Sequence, residues 1–284
     1  MRAAEPLLQA EGVTVGRPGR PEVLRSVDVT VPAGSFTAVV GPNGCGKSTL
    51  LLTLARILRP TAGRVLVQGR DLAQFRPRDL ARTLALLPQQ PEAPDGILVR
   101  DLVLRGRQPH RGALTPVRAA DRAAVEDALR TTGTLDLADG QLARLSGGQR
   151  QRVWIAMALA QQTPAVLLDE PTSFLDVAHQ VDVLDTCSAL VRGGRTVVAV
   201  LHDLSLAARY ADHVVVLRDG AVVAAGFPDD VVTERLVAEV FDLPARVLVD
   251  PETGRPLVVP RDRRPPALAP PPVPTVEDQP CPHP

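Results

Sequence analysis

The chain has 284 residues, 45% of them apolar, with 32 basic and 32 acidic side chains that cancel to a formal net charge of +0. That apolar share supplies a buried core and excludes wholesale disorder, and the lack of a basic surplus argues against nucleic acid as a partner. Three cysteines, Cys45, Cys187 and Cys281, are too few and too scattered for a disulfide framework or a zinc pattern and suit a reducing cytosol.

In chain order, 1–10 lacks the basic start and apolar stretch of a secretory leader. Segments 8–15 and 26–31 then read as short strands around a turn-rich stretch. An apolar strand over 35–40 runs into a glycine-rich loop at 41–46. A helix over 47–58, ended by Arg59-Pro60 and Gly63, and a strand over 63–69 follow. The stretch 91–146 lacks β runs, and 119–130 has helical spacing, which predicts a helical insertion. Apolar runs at 165–169, 196–201 and 213–217 then read as buried parallel strands of an α/β core. Such runs fall far short of the roughly 20 residues of a membrane span. From 260 to 284 proline dominates, which predicts a disordered tail outside a single domain covering 1–259.

The loop reads Gly41-Pro42-Asn43-Gly44-Cys45-Gly46-Lys47-Ser48-Thr49, between a strand and a helix. Glycines let backbone N–H groups curl around phosphate oxygens where a Cβ would collide, and the helix start adds partial positive charge. In this P-loop pattern Lys47 reaches the β- and γ-phosphates and Ser48 ligates Mg²⁺. An ordinary glycine turn would not explain why Lys47 is the only lysine among 32 basic residues. Cys45 sits within the loop, where Lys47 and the helix end would lower its pKa; the plainer reading is a small residue tolerated among glycines.

The strand 165–169 ends in Asp169-Glu170. Acids closing a buried apolar strand need partners: Asp169 would hold Mg²⁺, and Glu170 would orient and deprotonate an attacking water. Leu145-Ser146-Gly147-Gly148-Gln149 opens a second helix with another anion-binding start. A capped helix would account for Ser146 but not for the whole pattern.

These motifs resemble, in order and spacing, those of the ABC ATPases: Walker A (41–49), signature (145–149), Walker B with its acid (166–170) and a D-loop at 173–176. Gln89 resembles that family's Q-loop glutamine and His202 its switch histidine, and the resemblance spans roughly residues 7–259. It implies a RecA-like P-loop NTPase core with an antiparallel β subdomain and an inserted helical subdomain at about 91–157. It also implies a head-to-tail homodimer trapping two ATP molecules. One chain would supply the P-loop, Gln89, Asp169, Glu170 and His202, with Gln89 sensing the γ-phosphate and Mg²⁺ held by Ser48, Gln89 and Asp169. The other would supply Ser146, Gly147 and Gly148, with Gln149 closing the motif.

The family usually places an adenine-stacking aromatic near Val15; this chain has no aromatic there, which leaves Arg17 as the candidate stacking partner and predicts weak base discrimination. Beyond the core motifs, segments 81–89, 105–110 and 149–157 resemble ATPases of ferric-siderophore, haem and cobalamin importers. Within them Trp154 reads equally as a core anchor and His110 as a surface loop residue. The resemblance therefore implies peripheral attachment at the cytoplasmic face of the cell membrane, on a separate permease fed by an extracytoplasmic binding protein. An exporter ATPase or a non-transport ABC ATPase is the alternative; the latter would usually carry tandem domains or a coiled-coil insertion, neither of which is visible.

Overall fold

The structure, a computed structural model, describes residues 6–17, 20–111 and 115–262, the side chains at 17, 20 and 21 excepted. β1 (Pro6–Arg17) and β2 (Arg20–Pro32) form a long antiparallel ribbon, and β3 (Phe36–Val40) leads into α1 (Lys47–Leu54). β4 (Ala62–Val67), β5 (Arg70–Asp71), α2 (Pro77–Thr83) and β6 (Leu84–Leu87) follow. Three helices, α3 (Val99–Arg105), α4 (Ala119–Thr131) and α5 (Gly147–Ala160), precede β7 (Ala165–Asp169). Alternation then resumes with α6 (Val177–Arg192), β8 (Thr196–Val200), α7 (Leu204–Tyr210), β9 (His213–Arg218) and β10 (Ala221–Gly226). α8 (Pro228–Val231), α9 (Glu234–Phe241) and the hairpin β11 (Ala245–Val249) and β12 (Pro256–Pro260) close the fold.

The main sheet has the order β10-β9-β3-β8-β7-β6, parallel except for its β10 edge. Its inner strands β3, β7 and β8 are buried along their whole length and mostly apolar, because both faces are covered. Alternate residues serve different cores: Phe36, Ala38, Val40, Val166 and Leu168 pack against the helices, whereas Val39, Ala165, Leu167, Val198 and Val200 face α1 and the second sheet. That second sheet, β2-β1-β4-β5, is the antiparallel subdomain. The architecture is thus the α/β P-loop core with an antiparallel subdomain and an inserted set of helices that the motifs imply.

Four local readings change. The helix predicted over 47–58 stops at Leu54, because Arg56 turns the chain with a φ of 60° and donates from its guanidinium to Leu72 O (3.0 Å) and Phe75 O (2.6 Å). β6 has no counterpart among the predicted elements: four apolar residues carry no period that separates strand from helix, and parallel pairing with β7 decides the matter. His110 is not a free surface residue; it is half-buried, with Nε2 2.7 Å from Gln161 O at the end of α5. At the C-terminal boundary, β12 runs to Pro260 and Arg261 N–H donates to Pro244 O (2.9 Å), so paired backbone continues past 259. The remainder of the proline-rich segment, 263–284, lies outside the described residues.

Candidate functional site

The loop after β3 is wedged between β2 and the end of β9, and the wedge explains its glycines. Gly41, with a φ of 150°, passes so close to Leu217 that a Cβ would collide with that carbonyl oxygen and lie 2.9 Å from Cys45 Sγ. Gly46, with a φ of 111°, caps α1, and a Cβ there would come within 2.8 Å of Leu24 Cδ2. Gly220 of the β9–β10 turn donates to Cys45 O (3.0 Å) and pins the loop from outside. Lys47, only 5% exposed, donates from Nζ to Gly41 O (2.8 Å) and Pro42 O (2.9 Å), which sets its ammonium inside the curl. Burial pushes the Cys45 thiol up despite the opposing pull of Lys47. The lowered pKa considered from sequence is therefore not what the structure produces, and the small-residue reading stands.

β6, β7 and β8 are adjacent parallel strands, so the loops at their C-terminal ends meet beside the P-loop, where open α/β sheets place ligands. Asp169 at the end of β7 is 3% exposed and accepts a 2.9 Å bond from Ser48 Oγ. Burial raises its pKa, with the neighbouring Glu170 charge adding to the effect and the Ser48 bond and Lys47 opposing it. Two hard oxygen donors in contact suit Mg²⁺.

Glu170 has a φ of 52°, a strained conformation for a residue with a side chain, and both of its oxygens are partnered. Oε1 is 2.8 Å from His202 Nε2, just past β8. Oε2 accepts from Gln89 Nε2 (2.6 Å), two residues beyond β6, and from Ser173 Oγ (3.0 Å). Burial works to raise its carboxyl pKa, but the bonds from His202, Ser173 and Gln89 outweigh it and hold the group below its ordinary value.

A cleft of about 530 Å³ is lined by Asn43, Gly44, Gly46, Lys47, Ser48, Thr49, Gln89, Glu170 and His202 together with Val23. Sequence reasoning missed Val23 and the Ser173–Glu170 bond; neither has a local signal, since each depends on where separate elements meet. Val15 is 1% exposed, within the core and not on the cleft. The Arg17 guanidinium lies outside the described side chains.

Ser146, Gly147, Gly148 and Gln149 are not part of this cleft. They open α5 at the surface, where Ser146 Oγ accepts from Gln149 N (3.2 Å) and Gln149 Oε1 accepts from Ser146 N (3.0 Å), a reciprocal capping box. The capped-helix reading of Ser146 therefore holds, alongside whatever else the motif does.

A P-loop, two strand-end carboxylates and a detached signature together define an ATPase cassette. Residues 24–173 match the family model described as ABC transporter, and the chain belongs to that family, as an ATPase coupled to transport. It is 46% identical over 263 residues to the ferric enterobactin transport ATP-binding protein FepC of Escherichia coli strain K12, covering 92% of this chain and 97% of that protein. It is also 46% identical over 257 residues to the hemin import ATP-binding protein HmuV of Streptomyces coelicolor, covering 90% of each. Among solved structures, an inward-facing ABC transporter described as metal-chelate type superposes with a TM-score of 0.79 at 29% identity, covering 91% of this chain and 98% of that one.

Proposed function

We propose that this chain is the ATP-binding and ATP-hydrolysing subunit of an importer that takes up a ferric siderophore through a separate permease, at the cytoplasmic face of the membrane. No helix among the described residues is long and apolar enough to cross a membrane, in keeping with a path made by another chain.

The observation that carries the ATPase chemistry is the Glu170 cluster. Its carboxylate is kept ionised beside the P-loop by His202, Gln89 and Ser173, so it can take a proton from water at neutral pH. The 41–49 backbone and Lys47 hold the phosphates, with Asn43, Gly44, Gly46 and Thr49 lining the approach. Ser48 and Asp169, with Gln89 reaching from its loop, would hold Mg²⁺, which when bound draws charge from the phosphate oxygens. Gln89 and His202 fix the orientation of Glu170 and report on what lies against it.

The surface position of Ser146–Gly148 supports a head-to-tail homodimer, in which their helix start meets the nucleotide held by the second copy. Closure on ATP and release after hydrolysis would then drive the permease. An extracytoplasmic binding protein would deliver cargo from the far side.

Cargo never touches this subunit, so support for a siderophore comes from FepC and from the segments 81–89, 105–110 and 149–157. HmuV, with the same 46% identity, makes haem the second reading. The test is uptake of labelled ferric siderophore by a strain lacking this gene, complemented with wild type or with Glu170→Gln. Rescue by wild type alone is expected. Unimpaired siderophore uptake in the deletion strain, with loss of haem uptake instead, would move the assignment to haem.

A further inference from the structure

We infer that His179 is a positioning residue that ties the signature stretch of each chain to that chain's own Glu170 loop, so that the two nucleotide sites of the dimer are set together. The inference rests on the homodimer reading above, because Ser146–Gly148 face a nucleotide only across that interface.

Gly148 lies in the first turn of α5, and a Cβ there would collide with His179 Cδ2 and lie 3.0 Å from both Cγ and Nε2. The imidazole of α6 therefore packs on the bare Cα of the signature glycine. Its other edge is held as well: Nδ1 is 2.8 Å from Asp176 Oδ1, and the same oxygen accepts His179 N–H (2.9 Å) as the N-cap of α6. From Asp176 the connection runs back along a loop that is itself braced. Gln180 Nε2 donates to Leu175 O (3.0 Å), and Ser173 Oγ donates to Glu170 Oε2 (3.0 Å). One turn further, Arg152 of α5 and Asp182 of α6 make a 3.1 Å ion pair that keeps the two helices in register.

A planar ring packed on one edge and hydrogen-bonded on the other has no alternative rotamer without losing one contact. A shift of the Glu170 loop therefore moves Asp176, the ring and the start of α5 as a unit. Ser146 Oγ takes the Gln149 N–H, whereas the N–H groups of Gly147 and Gly148 precede the first intrahelical bond and receive no carbonyl from their own helix, so their direction is what His179 fixes. Smaller side chains at 179 would leave the first turn of α5 without its contact to the loop, with the Arg152–Asp182 pair holding only the turn beyond.

The test uses the full-length chain in two backgrounds. With Glu170→Gln, which retains ATP, dimer formation is followed by light scattering over a range of ATP concentrations, and ATP affinity is measured at protein concentrations that keep the chain monomeric. In the otherwise wild-type chain, the Hill coefficient of ATP hydrolysis is the second readout. His179→Ala is expected to change monomer ATP affinity by less than about twofold while weakening dimerisation about tenfold and moving the Hill coefficient toward one. His179→Asn, which keeps a planar donor toward Asp176, should restore most of both.

Unchanged dimerisation and cooperativity in His179→Ala would overturn the proposal. So would parallel losses of ATP affinity and thermal stability, which would mark a merely structural residue. A Glu170→Gln chain that stays monomeric at saturating ATP would instead sink the homodimer reading, and this inference with it.

Discussion

Glu170 concentrates the chemistry of this chain in one side chain. Its left-handed backbone, its two fully partnered oxygens and its depressed pKa all serve to present an ionised carboxylate at a fixed place. Glu170→Gln keeps the size but replaces one of the two accepting oxygens with an NH₂ group, so it removes the base together with part of its hydrogen bonding. Turnover is expected to fall by about 10²–10⁴-fold while ATP binding persists, as read by steady-state hydrolysis and by nucleotide titration. Hydrolysis at the wild-type rate would show that another group activates the water. A second residue-scale expectation concerns the base of the nucleotide. Val23 is the apolar side chain on the cleft and Val15 is buried, so neither offers the base an aromatic ring to stack on. Base stacking is worth about 1–3 kcal/mol where aromatics supply it, and without it ATP and GTP should bind with comparable affinity. A strong preference for ATP in competition titrations would contradict this.

Among the elements, the junction of α3, α4 and α5 depends on a buried charge. Arg107, 6% exposed, donates from Nε to Asp121 Oδ1 (3.1 Å) and from NH1 to Ala160 O and Gln162 Oε1 (both 2.8 Å). Arg118 N–H adds a 3.1 Å bond to Asp121 Oδ2. Arg107→Met would leave the buried Asp121 carboxylate with only the more distant Arg111, 4.0 Å away, and stability should drop by about 3–5 kcal/mol in urea unfolding. A loss well below about 1 kcal/mol would mean that Arg111 alone suffices to hold the carboxylate. The same carboxylate predicts a pH effect. Burial tends to raise its pKa, but the Arg118 N–H and Arg107 prevail and hold it below the ordinary 3.8. A lowered acid contributes stability that is complete above its unfolded pKa and disappears as pH falls through the folded value. The urea midpoint should therefore fall below about pH 4, and less steeply in Asp121→Asn.

For the molecule as a whole, the telling feature is apolar surface left beside the cleft. Phe174, on the loop that follows Glu170, is 97% exposed, and Val177, which opens α6, is 74% exposed. Single exposed apolar residues are common, but these flank the surface a second copy would cover in the head-to-tail arrangement. In the Glu170→Gln background, Phe174→Ser should weaken ATP-dependent dimerisation about tenfold, the scale of one lost anchor. Light scattering that shows the same ATP dependence in both chains would place Phe174 outside the interface.

Four strands of the main sheet, β3, β7, β8 and β9, and the loops that meet at their ends were legible along the chain because their signals are local. Buried parallel strands are unbroken apolar runs, and a phosphate loop needs its glycines and lysine in consecutive positions. Gly41–Thr49, Asp169 and Glu170, which the fold brings together, could be found that way, and so could the capped start of α5 at Ser146–Gln149. What four residues of β6 would become could not, since so short a run has no period of its own and takes its state from β7. Nor could the end of α1, which depends on Arg56 reaching carbonyls at Leu72 and Phe75. The convergence of Gln89, Ser173 and His202 on one carboxylate, the place of Val23 on the cleft and the net direction of the Cys45 pKa likewise arise only when separate strands and loops are brought together. Motif composition is written in neighbouring residues, whereas burial, partnership and protonation depend on distances between residues far apart in the chain.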